Sequence, residues 1–243
     1  MEIAALLDAL DSAGHRLAEA ADRRGLTAEA PHCPGWRVRD VVAHTGGVHH
    51  WAASFVITGR TESYTEAEEA EFLSAPETGL TDWYRAMHAR LVESLRAADP
   101  ALDCWSFLPA PSPIAFWARR QAHEATIHSL DAGAAADFAP EFAVDGINEL
   151  LTGFFSRRRR RHADDPPLSV GLRTTDTDDH WTVRVQAGVA ELITDGASQV
   201  TVAGTAADLY RLLWNRLDPD DLELTGDRSV LDQWRARMRI TWA

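Results

Sequence analysis

The residues with the clearest chemical potential run from Ala122 to Asp131: Ala122-His123-Glu124-Ala125-Thr126-Ile127-His128-Ser129-Leu130-Asp131. The run is one residue too long to be the H-E-x-x-H of zinc proteases, since His123 and His128 are five apart and project from different faces of a helix. Glu124 and His128 are four apart and share a face, so one carboxylate and one imidazole can occupy two corners of a metal site. By itself such a pair also describes a solvated helix face. A third donor is offered by Val41-Val42-Ala43-His44-Thr45-Gly46-Gly47-Val48, where His44 shares an apolar stripe with Val41 and Val48. A histidine on an apolar face is commonly a satisfied core residue. Here, however, a second segment independently presents Glu and His on a surface otherwise made of Ala, Ile and Leu. Gly46 and Gly47 cost up to about 1 kcal/mol each inside a helix, which implies a close approach to that face. His44, Glu124 and His128 together form a His2Glu set, a type that holds a catalytic divalent ion and leaves one position open. Such an ion lowers the pKa of a bound water or thiol.

The elements that must carry these residues follow from apolar spacing. Helices are expected over 2–24, 38–57, 81–98 and about 114–132, with a polar, acidic loop holding a short helical turn over 59–78. Four helices with one long crossing loop make a bundle, whose metal sites lie between facing helices. A further helix is expected over 142–161. Beyond Pro166-Pro167, alternation predicts strands at 168–172, 181–185, 189–193 and 199–202, then a helix over 205–217, a short strand at 221–224 and a last helix over 229–238. The expected architecture is therefore a four-helix bundle (residues 1–140) followed by a small α+β domain with a leading helix (residues 141–243).

Composition narrows the function classes. The 243 residues carry 24 basic and 37 acidic side chains, a formal charge of −13, and all the basic ones are Arg. That acidic balance disfavours a nucleic-acid partner. The run Arg157 to Arg161 reads as a solvated helix end rather than an anion-binding patch. No apolar run approaches the roughly 18 residues of a membrane span. The opening Met1–Leu17 stretch lacks the basic start of a signal peptide and reads as helix, so a soluble, cytoplasmic protein is expected. Cys33 and Cys104 imply no disulfide framework.

Two segments carry a family resemblance. Cys33-Pro34-Gly35-Trp36-Arg37-Val38-Arg39-Asp40-Val41-Val42-Ala43-His44 and Arg120-Gln121-Ala122-His123-Glu124-Ala125-Thr126-Ile127-His128-Ser129-Leu130-Asp131-Ala132 resemble the two signatures of the mycothiol-dependent maleylpyruvate isomerase family. The resemblance implies a DinB-like four-helix bundle. Gly204-Thr205-Ala206 and Gly226-Asp227 likewise resemble the family's sterol-carrier-like second domain. The family's metal ligands fall on His44, Glu124 and His128, the set already reached from face geometry. Implied with them are zinc, mycothiol as thiol cosubstrate and a small electrophilic substrate. The implied chemistry is either thiol transfer or isomerisation of a cis double bond by addition and elimination. The sulfur nucleophile then comes from the cosubstrate and none from the protein, which sets Cys33 aside. An arginine of the second domain assists the namesake enzyme; Arg228, Arg235, Arg237 and Arg239 are the candidates here.

Around the ligand set, Asp131 either orients His128 or is a solvated helix end. Arg120 either pairs with Glu124 or reaches an anionic substrate, a plain surface pair being the simpler reading. His49, His50, His88 and His123 are spare, and by default surface residues. Trp36, Trp51, Trp105 and Trp117 lie beside the signatures as pocket wall or core. Two rival readings remain. One is a non-catalytic metal-binding or ligand-sensing module, with His123 or Asp131 as a fourth ligand. The other is a metal-dependent hydrolase that uses bound water and needs a general base.

Overall fold

The computed structural model describes residues 1–157, 162–194 and 196–240. The chain divides into two compact units, Met1–Ala136 and Asp137–Ala243. The first holds α1 (Ile3–Arg24), α2 (Val38–Thr58), α3 (Glu66–Phe72), α4 (Leu80–Ala97) and α5 (Pro113–Asp131). The four long helices form the bundle, with α1 packed mainly on α5 and α4, and α2 on α4 and α5. Local sequence sets their starts. Ser112 accepts from the Ala115 N–H at 3.1 Å, and Pro113 occupies the first turn of α5, where its missing N–H is not needed. Ahead of α2, Trp36 N–H bonds the Cys33 carbonyl at 2.9 Å around Pro34 and Gly35, whose φ is +87°. Proline second and a positive-φ glycine third make a type II turn, so this segment is a structural hinge into α2.

The acidic stretch expected as a loop with a short helical turn holds α3, two turns long. Thr65 and Glu68 cap it reciprocally, the Glu68 carboxylate accepting from the Thr65 N–H at 2.8 Å. The close approach implied by Gly46 and Gly47 comes from protein. A Cβ at Gly46 would lie 2.4 Å from the Trp83 ring, and one at Gly47 2.9 Å from Leu73 Cα.

The second unit holds α6 (Pro140–Glu149), β1 (Leu168–Thr174), β2 (His180–Gln186), β3 (Val189–Leu192), β4 (Val200–Gly204), α7 (Ala206–Leu213), β5 (Glu223–Gly226) and α8 (Arg228–Arg237). The helix expected over 142–161 stops being α-helical at Glu149 and passes into a π turn, Leu150–Phe154. There Thr152 and Ser156 hydroxyls donate to the carbonyls of Asn148 and Thr152, both at 2.7 Å, competing with the backbone ladder. Most of the arginine run, residues 158–161, lies outside the described residues. The strands form one sheet in the order β3-β2-β1-β4-β5, antiparallel except for the β1–β4 pair. Alternation sets the register: Trp181, Val183 and Val185 of β2 are buried and their neighbours are not. Among the described residues no helix is long and apolar enough to cross a membrane.

Candidate metal centre

From Arg120 to Asp131 every residue of α5 is buried, including Arg120, Gln121, His123, Glu124, His128 and Asp131. A polar side chain in such a place must be paired or bind something. Glu124 is at the centre. Its Oε1 lies 3.0 Å from His128 Nε2 and 3.5 Å from His44 Nε2, the latter on α2 across the bundle. Its Oε2 accepts from Arg120 Nη2 at 3.3 Å. The rings of His44 and His128 meet edge to face with centroids 4.9 Å apart. Trp36, delivered by the Cys33–Trp36 turn, stands edge-on to His44 at 5.5 Å.

The donor atoms of His44, Glu124 and His128 all lie within 4.8 Å of one another. The ligand-to-ligand edge of a tetrahedral site with bonds of 2.0–2.1 Å is about 3.3 Å, so the measured 3.0 and 3.5 Å suit one divalent ion. The donors, two imidazoles and a carboxylate, fit zinc or a related ion. Glu124 and His128 side chains are 3% and 4% exposed while His44 is 18% exposed, so the two α5 members are closed off and His44 is the most open of the three, with its Nε2 buried.

Electrostatics bind the set together. Burial alone would raise the Glu124 pKa, but hydrogen bonds from His128 and His44 and the Arg120 charge outweigh it and hold the carboxyl well below its usual range. For His128 burial opposes the charged form. The carboxylates of Asp131 and Glu124 win, and the pKa is raised to about 9. In the metal-free protein His128 therefore donates from both nitrogens, to Glu124 through Nε2 and to Asp131 Oδ2 through Nδ1 at 3.0 Å.

The structure thus brings His44, Glu124, His128, Asp131 and Arg120 together. Asp131 is fully buried behind His128, and Arg120 is 1% exposed rather than a surface residue. The spare histidines need correction as well. His49, His88 and His123 are buried, because α2, α4 and α5 face one another where these residues stand. Trp51, Trp105 and Trp117 pack with Phe55, of which Trp117 and Phe55 are core and Trp51 and Trp105 are partly buried. In the second unit, Arg228 pairs with Asp220 and Asp232. Arg237 is held by Asp165 at 3.2 Å, the Pro166 carbonyl at 2.7 Å and Gln233. Arg235 lines an apolar cavity with Leu172, Leu213 and Trp234, and Arg239 is exposed.

Comparison with known proteins matches residues 7–133 to the mycothiol maleylpyruvate isomerase N-terminal domain and residues 141–233 to the MDMPI C-terminal domain. No curated protein matches the chain. Among solved structures, a mycothiol-dependent maleylpyruvate isomerase superposes with a TM-score of 0.65 at 16% identity, over 93% of each chain. A single-site variant described as the same enzyme gives 0.65 at 15% identity, again over 93% of each. Two domain models that together span nearly the whole chain place it in a family: the protein belongs to the mycothiol maleylpyruvate isomerase family.

Proposed function

We propose that the protein is a metal-dependent enzyme that activates a low-molecular-weight thiol, mycothiol, for transfer to or isomerisation of a small electrophile. The observation that carries this reading is the convergence of His44 Nε2, Glu124 Oε1 and His128 Nε2 from two helices, with separations that suit one ion. Zinc is the ion the donor set favours. When bound, it supplies a positive charge that lowers a thiol's pKa and keeps it as thiolate at neutral pH.

This chain's own residues prepare the site. Asp131 holds the Nδ1 proton of His128, which directs the Nε2 lone pair inward once the second proton has left. Arg120 engages Glu124 Oε2 and leaves Oε1 turned to the imidazoles. His44, the most exposed of the three, borders the side from which thiol and electrophile approach.

The reading accounts for an open position better than the sensing-module alternative, which needs a fourth protein ligand. Asp131 faces His128 Nδ1, and His123 is not in the donor cluster among the described residues. The hydrolase reading would need a further carboxylate or imidazole as base, and Glu124 is already a ligand. The test is to prepare full-length protein without a metal-affinity step and compare it with His44→Ala and His128→Ala. Bound metal and mycothiol-dependent turnover are expected in the wild type, and each variant should lose turnover together with one metal ion per chain relative to wild type. A variant that keeps the full wild-type metal content, or keeps activity, overturns the assignment.

A further inference from the structure

A second cluster lies between a different pair of helices. Asp11 and His15, four apart on α1, meet His88 of α4, and one ligand atom from each lies within 4.8 Å of the others. Asp11 Oδ1 is 3.3 Å from His15 Nδ1 and 3.6 Å from His88 Nε2. These are again the edges of a small tetrahedron.

The independent observation is His88 itself. The residue is 4% exposed, and neither ring nitrogen has a hydrogen-bond partner. Buried polar groups are almost always bonded, and leaving one unmet costs about 1–3 kcal/mol. The ring is also fixed in place. Tyr84 stacks parallel to it at 6.1 Å, and His49 stands behind at 5.2 Å. On the α1 side it occupies the space a side chain at position 14 would fill, since a Cβ on Gly14 would lie 2.1 Å from His88 Cε1. A small residue has left room for an imidazole that points at a carboxylate without reaching it.

The neighbours orient the donor atoms. Arg96 bonds Asp11 Oδ2 at 3.1 Å and Asp8 at 3.3 Å, which leaves Oδ1 turned to the two imidazoles. His15 Nδ1 donates to the Asp11 carbonyl at 2.8 Å, a proton that an arriving ion displaces. The His15 side chain is 70% exposed, so the site has a solvent-facing door. Burial lowers the His88 pKa against the opposing pull of Asp11, which favours the neutral, ligating form at neutral pH.

We propose that Asp11, His15 and His88 form a second metal site, for a borderline divalent cation such as Zn2+, which clips α1 to α4 independently of the His44 centre. The test strips full-length protein with chelator, equilibrates it against buffered zinc and counts zinc per chain by plasma mass spectrometry. Two ions are expected in the wild type, one in His15→Ala, one in His44→Ala and none in the double variant. Because His15 is exposed, His15→Ala does not endanger folding. In the His44→Ala background zinc should still raise Tm, and the added His15→Ala should abolish that rise. Loss of the last ion and of the Tm rise together supports the clip. A His15→Ala protein that binds as much zinc as wild type, or a His44→Ala protein that binds none and shows no zinc-dependent rise, overturns it. The two single variants keep failure of this site distinct from failure of the His44 centre.

Discussion

Zinc uptake at the His44 centre should depend on pH in a way fixed by His128. The metal-free protein holds this imidazole doubly protonated up to about pH 9, because two buried carboxylates outweigh the burial that disfavours its charge. An ion arriving at pH 7 must displace the Nε2 proton about two units below that pKa. At about 1.4 kcal/mol per unit the cost is about 3 kcal/mol, and it vanishes near pH 9. Glu124, whose pKa is well below its ordinary value, is already ionised and adds no proton cost. The apparent association constant should therefore rise about tenfold per pH unit from 7 towards 9, roughly 100-fold in all, and then level off. A chromophoric chelator in competition, with His15→Ala protein to remove the outer cluster, measures this directly. Calorimetry at pH 7 in two buffers of different ionisation enthalpy should show about one proton released per ion. Affinity that stays flat between pH 7 and 9, or binding without proton release, would refute the charge state argued for His128 or its place among the ligands.

Other perturbations probe the same arrangement. At pH 9, with proton competition gone, Asp131→Asn should weaken zinc binding about 10- to 100-fold by releasing the His128 ring, as the chelator assay would register. Glu124→Ala removes the carboxylate that buried Arg120 and His128 both engage, and should lower the unfolding free energy of metal-free protein in urea by about 1–3 kcal/mol. Burial holds His49 and His88 below the 6.5 of an unfolded histidine. Under pH 6.5 the unfolded chain thus binds more protons, and metal-free stability should fall as pH drops, by up to about 1.4 kcal/mol per unit per histidine. Urea titrations from pH 7 to 5.5 check this, and His49→Leu should flatten the slope by about half. Gly226→Ala puts a Cβ 2.3 Å from the Gln199 carbonyl oxygen at a φ of +105°, and should cost the second unit about 1–3 kcal/mol or more in chemical denaturation.

Much of the fold could be read from local chemistry, and the reasons are visible in particular residues. The α5 start was marked by Ser112 and Pro113, and β2 by Trp181, Val183 and Val185 alternating with exposed neighbours. Both are signals that the chain carries within a few residues. The helix after Pro140 went wrong where the signal is weakest. Apolar spacing continues past Glu149, and nothing in it records the hydroxyls of Thr152 and Ser156 bonding back into the ladder.

Within the site, the pairing of Glu124 with His128 was legible because four residues of helix put two side chains on one face. The burial of their surroundings was not. Arg120 and His123 read most simply as surface residues, and Asp131 equally as a partner of His128 or a solvated helix end, yet α5 has no solvent side over this stretch. Which face of a helix sees water depends on how neighbouring helices pack, and that information is absent from the helix's own period. For the packing of α4, small residues on its neighbours left a local trace. Gly14 leaves room for the His88 ring and Gly46 for Trp83, but a glycine does not name the side chain that will fill its space. Once α5 is buried, its charges constrain one another. Arg120 requires Glu124, Glu124 requires His128, and His128 requires Asp131, so each partner satisfies the polar group that would otherwise destabilise the core. That chain of mutual need holds two of the three clustered donor atoms, Glu124 Oε1 and His128 Nε2, 3.0 Å apart on one helix.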